Sequence, residues 1–326
     1  MIRDGSDPAA IAEAARVIRS GGLVGFATET VYGLGADASS DSAVAGIFVA
    51  KGRPSDHPLI VHVAEPAQVT DYAVDVPPFA ERLMKTLWPG PLTVILPRKP
   101  GVAAAAAGGQ NSIGLRCPAH PLAHALLAAC ATGVAAPSAN RFGRVSPTTA
   151  QHVAQEFGDG LLVLDGGPCE VGIESSIVDC TRSRPVLLRP GVLTRAQLEA
   201  ACGEAVLSNE EFTGAGAPRA SGTLESHYAP DARVRLMDAT AIQTALDLLG
   251  PEAAHIAVYA RTIVRIKSTQ VLYRRMPADA PATAQQLFAV LRGFDAQGVK
   301  LIWVEHPPAD TAWDGVRDRL VRAAAG

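Results

Sequence analysis

Residues 23–36 read LVGFATETVYGLGA and join a short apolar run to a glycine-rich segment. The run at 23–27 predicts a buried strand, and the glycine-rich residues predict a turn or loop at its end. Some 20 residues further along, KGRP at 51–54 places two cations beside a rigid proline. Cations in a loop near a glycine-rich strand end favour phosphate binding. A P-loop is excluded, because its G-x-x-x-x-G-K-[ST] pattern needs a Gly-Lys dipeptide and the chain contains none.

In the rest of the first 200 residues, the predicted strands and helices do not alternate strictly. This pattern predicts a mixed α/β or α+β fold rather than a plain doubly wound one. Apolar residues at helical spacing predict a first helix over 8–20, closed by Gly21 and Gly22. Further helices are predicted over 42–51, 78–87, 121–131 and 148–157, and further strands over 59–63, 92–96, 113–116, 134–137, 161–165, 176–179 and 185–189.

The composition changes over residues 203–232, where Gly, Ala, Pro and Ser dominate and a linker is predicted. This segment ends in SHYAP at 226–230, which is unusually specific for a spacer. Regular alternation of strands and helices after it predicts a small three-layer α/β domain with a parallel sheet. We therefore expect a catalytic domain over 1–202, a linker over 203–232 and a C-terminal domain over 233–326.

The composition is that of an ordinary globular protein of two domains, with 326 residues, 48% hydrophobic and 19% charged. A net charge of -3 excludes a globally basic surface that would attract nucleic acid. Five cysteines, odd in number and widely spaced, indicate reduced thiols. Since no signal core and no run of 18 apolar residues occurs, we expect a cytoplasmic protein without a membrane partner.

Two patterns allow alternative interpretations. Gly33-x-Gly35-x-x-Ala38 fits a dinucleotide-binding fingerprint, but the expected acidic strand end is replaced by the KGRP loop. Cys117, His120 and His124 have a spacing seen in metal sites, yet a structural zinc ion usually needs four ligands. For the first pattern we favour a glycine-rich turn that does not bind a dinucleotide. For the second we favour a structural role for the histidines.

Three further polar segments follow apolar strands: SIGLRCP at 112–118, APSANRFGRVSP at 136–147 and GIESSIVD at 172–179. Arg116 lies at a strand end, where its planar guanidinium could hold a carboxylate through two bonds. Together with the KGRP loop they make four polar loops at strand ends, where α/β proteins commonly bind ligands.

These segments, in this order, resemble the threonylcarbamoyl-AMP synthase family. The resemblance rests on ATETVYGLGA, KGRPSDHPL, SIGLRCPAHP, APSANRFGRVSPT and GIESSIVD followed by LLRPG, and SHYAP with the C-terminal domain is similar to the family's long two-domain form. It implies a YrdC-like domain with a twisted, largely parallel open sheet and a concave basic face, followed by a small Rossmann-like domain. It also implies synthesis of L-threonylcarbamoyl-adenylate from L-threonine, bicarbonate or CO2, and ATP with Mg2+, releasing pyrophosphate. Partner proteins would then use the product to modify the adenosine next to the anticodon of certain tRNAs.

The resemblance assigns contacts residue by residue. The implied L-threonine contacts are Thr30, His62, Arg116, Ala136 and Ser176. The implied contacts to ATP or the product are Lys51, Arg53, His57, Ser112, Ser138, Asn140, Ser146, Arg189 and Tyr228. Lys51 and Arg53 are also the predicted catalytic residues, because cations can neutralise developing phosphate charge. No protein ligand for a metal and no general base is predicted.

This chain departs from the family pattern at three positions. Ala27 stands where proline is common, Ser226 stands where many relatives have a basic residue, and Ser176 stands where threonine is frequent. Of these three departures, only Ser226 puts a feature in doubt, because the linker then supplies no cation directly before His227. The hydroxyl of Ser176 preserves its implied role.

Two other functions are weighed against the synthase. In the first, Lys51, Arg53, Arg116, Arg141, Arg144 and Arg189 would bind an RNA backbone without adenylate synthesis. The negative net charge and the lack of interleaved aromatic residues argue against it, and direct tRNA binding is left open. The second, a carbamoyl-transferring domain of a larger enzyme, lacks the expected zinc-finger and acylphosphatase-like segments.

The predicted product is a mixed anhydride that water would destroy, so the site requires closure. We expect residues 214–230, with Tyr228 as an anchor, to close over the nucleotide as a lid.

Overall fold

A computed structural model describes residues 1–213, 216–262 and 264–326, and these separate into two units. The larger unit contains Met1–Phe142 and Ser146–Thr223, and the smaller contains Gly143–Val145 and Leu224–Gly326. The predicted linker therefore spans the boundary between the units, and its residues up to Thr223 belong to the larger one. Gly214 and Ala215, part of the predicted lid, lie outside the described residues.

The described part of the larger unit is built on one sheet of eleven strands. The strands are β1 (Ile2–Asp4), β2 (Val24–Phe26), β3 (Gly33–Asp37), β4 (Ile60–His62), β5 (Leu92–Pro97), β6 (Ser112–Arg116), β7 (Val134–Ala135), β8 (Leu162–Asp165), β9 (Ser176–Asp179), β10 (Val186–Arg189) and β11 (Leu207–Ser208). The helices are α1 (Pro8–Arg19), α2 (Asp41–Lys51), α3 (Val69–Tyr72), α4 (Pro78–Leu87), α5 (Pro121–Cys130), α6 (Ala150–Phe157) and α7 (Arg195–Cys202).

The strand order in this sheet is β1-β8-β2-β3-β7-β4-β6-β5-β9-β10-β11. Parallel and antiparallel neighbours are equally frequent among these described strands. The mixed α/β fold predicted from the sequence is confirmed. The strand register matters for the site, because the parallel pairing of β4 with β6 places His62 directly beside Arg116.

The first helix shows why the periodic segments were predictable. The carboxylate of Asp7 accepts a hydrogen bond of 2.9 Å from the amide of Ala9, and Pro8 occupies the first turn. Ala14 and Ile18 lie on the buried face of the helix, as their spacing predicts. Gly21, with φ of +87°, ends the helix.

The dinucleotide-binding interpretation of these glycines is wrong, because Gly33 and Gly35 lie inside strand β3 and not in a turn before a helix. Strand β3 pairs antiparallel with β2, which places Gly33 opposite Phe26. A Cβ atom added at Gly35 would lie 2.8 Å from the Phe26 ring and 2.9 Å from Val134. These glycines therefore allow an aromatic ring to pack across the sheet, and phosphate binding does not account for them.

The smaller unit has a four-stranded sheet, in the described residues, with the order β12-β15-β13-β14 and parallel pairing throughout. Val258 and Trp303 form an apolar core with Ile242 and Leu246. The predicted small parallel α/β domain is confirmed. Its elements are β12 (Arg233–Met237), α8 (Ala239–Leu249), β13 (Ile256–Ala260), β14 (Leu272–Arg275), α9 (Ala280–Ala296), β15 (Leu301–Glu305) and α10 (Asp314–Ala324).

All five cysteines are buried free thiols, as their number and spacing predicted. Within the described ranges, none of the helices combines the length and apolar character needed to cross a bilayer.

Candidate functional site

The predicted threonine contacts begin at Arg116, the last residue of β6, whose guanidinium is buried. Its Nη1 donates a hydrogen bond of 2.8 Å to Thr30 Oγ1, and its Nε donates one of 3.3 Å to the Gly90 carbonyl. Its Nη2 lies 2.7 Å from Oε1 of Glu29, which is also buried. Two loops and a strand end thus fix the plane of the guanidinium.

The loop after β2 presents Thr30 and Glu29 because its own polar groups close it into a turn. Thr28 Oγ1 donates to the Val31 carbonyl at 2.6 Å and lies 2.9 Å from Thr30 Oγ1. This is the local side-chain-to-backbone bonding that threonine favours outside regular structure. ATET is therefore a compact turn that carries a carboxylate and a hydroxyl to the arginine.

The charges in this cluster shift the pKa values of its acid and its histidine. Burial alone would raise the pKa of Glu29, but the charge and hydrogen bonding of Arg116 and two backbone amides hold that pKa below its usual value. Burial, and then the charge of Arg116, lowers the pKa of His62 to about 3. The imidazole is therefore neutral near pH 7, and its Nδ1 meets no hydrogen-bond partner of regular geometry among the described residues, although the backbone of Ile60 and Val134 also acts on the ring and partly offsets the lowering of its pKa.

Ser176 lies in β9 and Ala136 directly follows β7, and each of these strands is two places from β6 in the sheet. The amide of Ser176, the first residue of β9, donates to the Pro91 carbonyl at 3.0 Å. Because Gly90 accepts from Arg116, the segment 90–91 links Ser176 to the arginine. The Ala136 amide donates to the Ile60 carbonyl at 2.9 Å. The structure thus brings Thr30, His62 and Arg116 together and connects the two others through backbone bonds.

Lys51 is buried at the C-terminus of α2 and joins two of the predicted nucleotide loops. Its Nζ donates to the carbonyls of Ser138, at 2.5 Å, and Asn140. The Phe142 amide in turn donates to the Lys51 carbonyl at 2.9 Å. Burial, and then the neighbouring Arg53, lowers the pKa of Lys51 well below its usual value. Lys51 therefore orders the 138–142 loop, in addition to any phosphate contact it makes.

Arg53 and Arg189 converge on one residue of the predicted linker. Arg53 Nη2 donates to the Pro58 carbonyl at 3.0 Å and to Ser221 Oγ at 3.4 Å. Arg189 Nη1 donates to the Ser221 carbonyl at 2.8 Å, and its Nε and Nη2 both donate to the Ser175 carbonyl. Ser221 therefore contacts Arg53 through its hydroxyl oxygen and Arg189 through its carbonyl oxygen.

The remaining nucleotide candidates of the larger unit lie around these cations. The ring of His57 packs edge-on against Phe142 with centroids 5.4 Å apart, and burial followed by the charge of Arg53 lowers the pKa of His57. Ser146 donates a hydrogen bond to the carboxylate of Glu174. Asn140 Nδ2 donates to the Arg141 carbonyl at 2.7 Å.

A pocket on the sheet face is lined by Ser112 of β6 and by Ala220 and Ser221 of the predicted linker. Ala220 packs against an apolar cluster of three isoleucines from β4, β5 and β9, namely Ile60, Ile95 and Ile177. The described start of the predicted lid therefore lies over this face of the larger unit.

Tyr228 is placed in the smaller unit, with its ring buried. The ring stacks on Phe288 at 5.5 Å, lies edge-on to His227 at 4.1 Å and faces the guanidinium of Arg319 at 5.1 Å. Its backbone has a φ of +62°, a conformation that is uncommon for residues other than glycine. The nucleotide contact of Tyr228 stays a prediction.

The structural role favoured for the histidines is confirmed. His120 Nδ1 accepts from the Leu122 amide at 3.2 Å and caps α5, while His124 Nε2 lies 3.1 Å from Glu65. The Cys117 thiol donates to the Ala64 carbonyl at 3.4 Å. No group of three or more histidine, cysteine or acidic side chains that could hold a metal ion occurs in the described residues.

The RNA-binding alternative is not favoured, because its cations do not form an open basic surface. Lys51, Arg53, Arg116 and Arg189 are all buried and donate to protein oxygens. A chain of phosphates approaching from solvent binds exposed cations.

Sequence reasoning did not assign Glu29, Ser175 or Ser221, although each contacts an assigned residue. Glu29 lies in the ATETVYGLGA motif and Ser175 in the GIESSIVD motif, so their position among assigned residues could have marked them as candidates. Ser221 lies in a segment whose composition indicates only flexibility, and no local pattern marks it.

The fold and the strand-end cluster define a two-unit α/β protein with a buried polar site in its larger unit. Two family models match this chain: one described as "Telomere recombination" over residues 16–191, and one described as "Threonylcarbamoyl-AMP synthase, C-terminal domain" over residues 193–325. The chain belongs to the threonylcarbamoyl-AMP synthase family, in its two-domain form. The family predicted from the ordered motifs is confirmed.

Relatives support this over the full length. The threonylcarbamoyl-AMP synthase of Bacillus subtilis is 38% identical, covering 97% of this chain and 93% of the relative. A crystal structure of P. abyssi Sua5 complexed with L-threonine is 37% identical, with a TM-score of 0.88 over 98% of this chain and 95% of that one. A doubly substituted variant of P. abyssi Sua5 has a TM-score of 0.89 at 35% identity, covering 99% and 96% of the two chains.

Proposed function

We propose that this chain is an L-threonylcarbamoyladenylate synthase of the nucleotidyltransferase class, which condenses L-threonine, bicarbonate or CO2, and ATP, and releases pyrophosphate. The observation that carries the proposal is the buried Arg116, held by Thr30 and Glu29 beside a neutral His62. A buried guanidinium at a strand end is suited to a small carboxylate ligand. The L-threonine complex of the P. abyssi relative supports the choice of amino acid.

The chemistry needs positioning more than covalent catalysis. The neutral amine of L-threonine attacks CO2: the N–C bond forms, one C=O π pair moves onto oxygen, and the nitrogen loses a proton to solvent, which leaves a carbamate. A carbamate oxygen then attacks the α-phosphorus of ATP, the bond to the β-phosphate oxygen breaks, and pyrophosphate leaves. Orientation of the two reactants and stabilisation of phosphate charge supply most of the acceleration in such transfers.

The threonine contacts in this proposal are Thr30, His62, Arg116, Ala136 and Ser176. Arg116 would bind the carboxylate, since Thr30, Gly90 and Glu29 fix its plane and leave it donor capacity. His62 would meet the substrate as a neutral imidazole. The backbone link through residues 90–91 supports Ser176 as a further wall of the same subsite.

The nucleotide contacts would come from the loops that Lys51 and Ser221 tie together. Arg53 and Arg189 both donate to Ser221, which lines the sheet-face pocket together with Arg219. They would exchange these bonds for phosphate oxygens. The remaining contacts are Lys51, His57, Ser112, Ser138, Asn140, Ser146 and Tyr228.

Mg2+ would accompany ATP as a ligand of its phosphates. Magnesium is commonly held by substrate phosphates and waters with few protein ligands. The described residues do not offer a metal cluster, and the buried carboxylates of Glu29 and Glu174 already contact Arg116 and Ser146. The side chains present therefore do not fit a protein-held magnesium site, and no step is assigned to the ion.

The linker would act as a lid over the nucleotide. Arg219 pairs with Asp56 at 2.8 Å and donates to the Gly108 carbonyl at 3.0 Å, which anchors the described start of the segment on the larger unit. Deleting 214–226, or changing Tyr228→Ala, should slow turnover and shorten the lifetime of the product. Unchanged rate and lifetime in both variants would contradict the lid.

The product would pass to tRNA-modifying partner proteins. A mixed carbamic-phosphoric anhydride is useful only to an acceptor that competes with water, so a transferase acting on a nucleophile must consume it.

The test of the function is pyrophosphate release from ATP, Mg2+ and bicarbonate, with and without L-threonine. We expect release that depends on L-threonine. Absence of release, together with salt-sensitive RNA binding, would support the RNA-binding alternative instead.

A further inference from the structure

We propose that Glu29 is a specificity-determining residue of the threonine subsite: its carboxylate binds the substrate's α-ammonium and makes the site select zwitterionic amino acids over acids of the same shape that lack the amine. This inference rests on the proposed function, since it assumes that L-threonine binds at Arg116. It adds a residue and a selection rule that neither the motifs nor the family resemblance assigned.

The contacts of Glu29 identify it as more than a support for the arginine. Its side chain is buried, with 5% of the residue exposed. One carboxylate oxygen, Oε1, lies 2.7 Å from Arg116 Nη2. Neither oxygen has a donor of regular hydrogen-bond geometry in residues 1–213, 216–262 and 264–326, although the backbone amides of Glu29 and Ala119 also act on the carboxylate and lower its pKa. A buried carboxylate that is not fully hydrogen-bonded keeps acceptor capacity for a ligand donor.

Charge counting explains what that donor should be. Arg116 and Glu29 form a buried pair with no net charge. A zwitterion also has no net charge, so its carboxylate can meet Arg116 while its ammonium meets Glu29. A 2-hydroxy acid carries the carboxylate alone and would leave one buried negative charge without compensation, which is strongly unfavourable.

The carboxylate is available in the required ionised form. The guanidinium of Arg116 more than offsets the effect of burial and keeps the pKa of Glu29 below its ordinary value. A weakly basic carboxylate is suited to hold an ammonium group and is poorly suited to remove its proton. Glu29 is therefore assigned to binding and discrimination, and proton removal is not assigned to it.

Glu174 provides a natural comparison inside the same unit. Glu174 is also a buried acid and lies in the GIESSIVD motif, but its carboxylate accepts a hydrogen bond from Ser146, one of the predicted nucleotide contacts. Replacing it should disturb nucleotide binding and should leave the choice between amine and hydroxyl ligands intact. Glu174→Gln is therefore the matched control for Glu29→Gln.

The experiment is equilibrium binding by calorimetry of two ligands, L-threonine and 2,3-dihydroxybutanoate of matching configuration, in which a hydroxyl replaces the amine. The unsubstituted chain should prefer L-threonine by about 10- to 100-fold, the scale of one charge-assisted bond. In Glu29→Gln this preference should fall to within about 3-fold, chiefly through weaker threonine binding, whereas Glu174→Gln should keep it.

Glu29→Asp retains the charge and should restore most of the preference, and thermal melts of each variant check that it is folded. A purely structural role for Glu29 predicts equal weakening of both ligands, and that result would overturn the inference. Loss of preference in Glu29→Asp equal to that in Glu29→Gln would overturn it as well. If the unsubstituted chain binds no L-threonine, the proposed function itself fails, and the inference fails with it.

Discussion

Both units place a buried acid and an arginine near the carboxyl ends of strands, but of these two acids only Glu305, in the smaller unit, accepts a regular hydrogen bond at each carboxylate oxygen within the described residues. In the smaller unit, Glu305 accepts from Arg261 at 2.9 Å and from the amide and hydroxyl of Thr262 at 2.7 and 3.1 Å. In the larger unit, Glu29 Oε2 and His62 Nδ1 meet no regular partner among the described residues. Parallel strand ends alone therefore do not make a site. Since Nε of Arg261 is also buried without a regular partner, the distinguishing feature of the larger unit's pair is the acceptor capacity that remains on the Glu29 carboxylate.

The largest effect that separates the two pairs is expected from Arg116→Ala. Affinity for L-threonine should fall by about 2 kcal/mol or more, because a charge-assisted bond to the carboxylate is lost and Glu29 is left without its cation. Affinity for ATP should change much less. Calorimetric titration with each ligand measures both, and equal loss of both affinities would show that Arg116 is only structural.

The counterpart in the smaller unit is Arg261→Ala. It should lower the free energy of unfolding by about 1–3 kcal/mol, since the carboxylate of Glu305, which is 7% exposed, loses its charged partner. Affinity for L-threonine should stay unchanged. Urea unfolding and threonine titration of the same variant check the two statements, and a loss of threonine affinity would mean that the contrast between the two ion pairs is wrong.

The pH dependence of stability that His62 contributes gives a further test of the larger unit's site. Its pKa is lowered from 6.5 to about 3 in the folded protein, so the unfolded chain binds the extra proton first as the pH falls. The stability contribution is complete above pH 6.5 and is lost progressively between 6.5 and 3.

Over that window, the unfolding free energy of the unsubstituted chain should fall more steeply than that of His62→Asn, by up to about 1.4 kcal/mol per pH unit. Denaturant titrations at a series of pH values supply the two slopes. Parallel slopes would show that His62 is not held as a buried neutral imidazole.

Elements whose sequence signals are local were predictable from the sequence. The helix over Pro8–Arg19 and the strand over Ser176–Asp179 each carry their pattern within their own residues. Strand β3 was missed, because its glycines resemble a turn and only the Phe26 ring across the sheet explains them. Short strands that depend on distant partners have no comparable local signal.

The candidate site was predictable as a set of residues and not as a set of bonds. Motif order pointed to Lys51 and Arg116, but it did not indicate that Lys51 Nζ donates to carbonyls 87 and 89 residues away. The pairing of Arg116 with Glu29 likewise depends on the turn after β2, and its position beside His62 depends on the parallel register of β4 and β6. Such long-range contacts are set by the assembled sheet.

The most direct test of the contrast between the two units is backbone hydrogen exchange with and without L-threonine. Binding should slow exchange at residues 28–32 and 114–118 of the larger unit, because a ligand stabilises the elements that hold it. Exchange over residues 301–306 of the smaller unit should stay the same. Protection over 301–306 without protection around Thr30 and Arg116 would contradict the account.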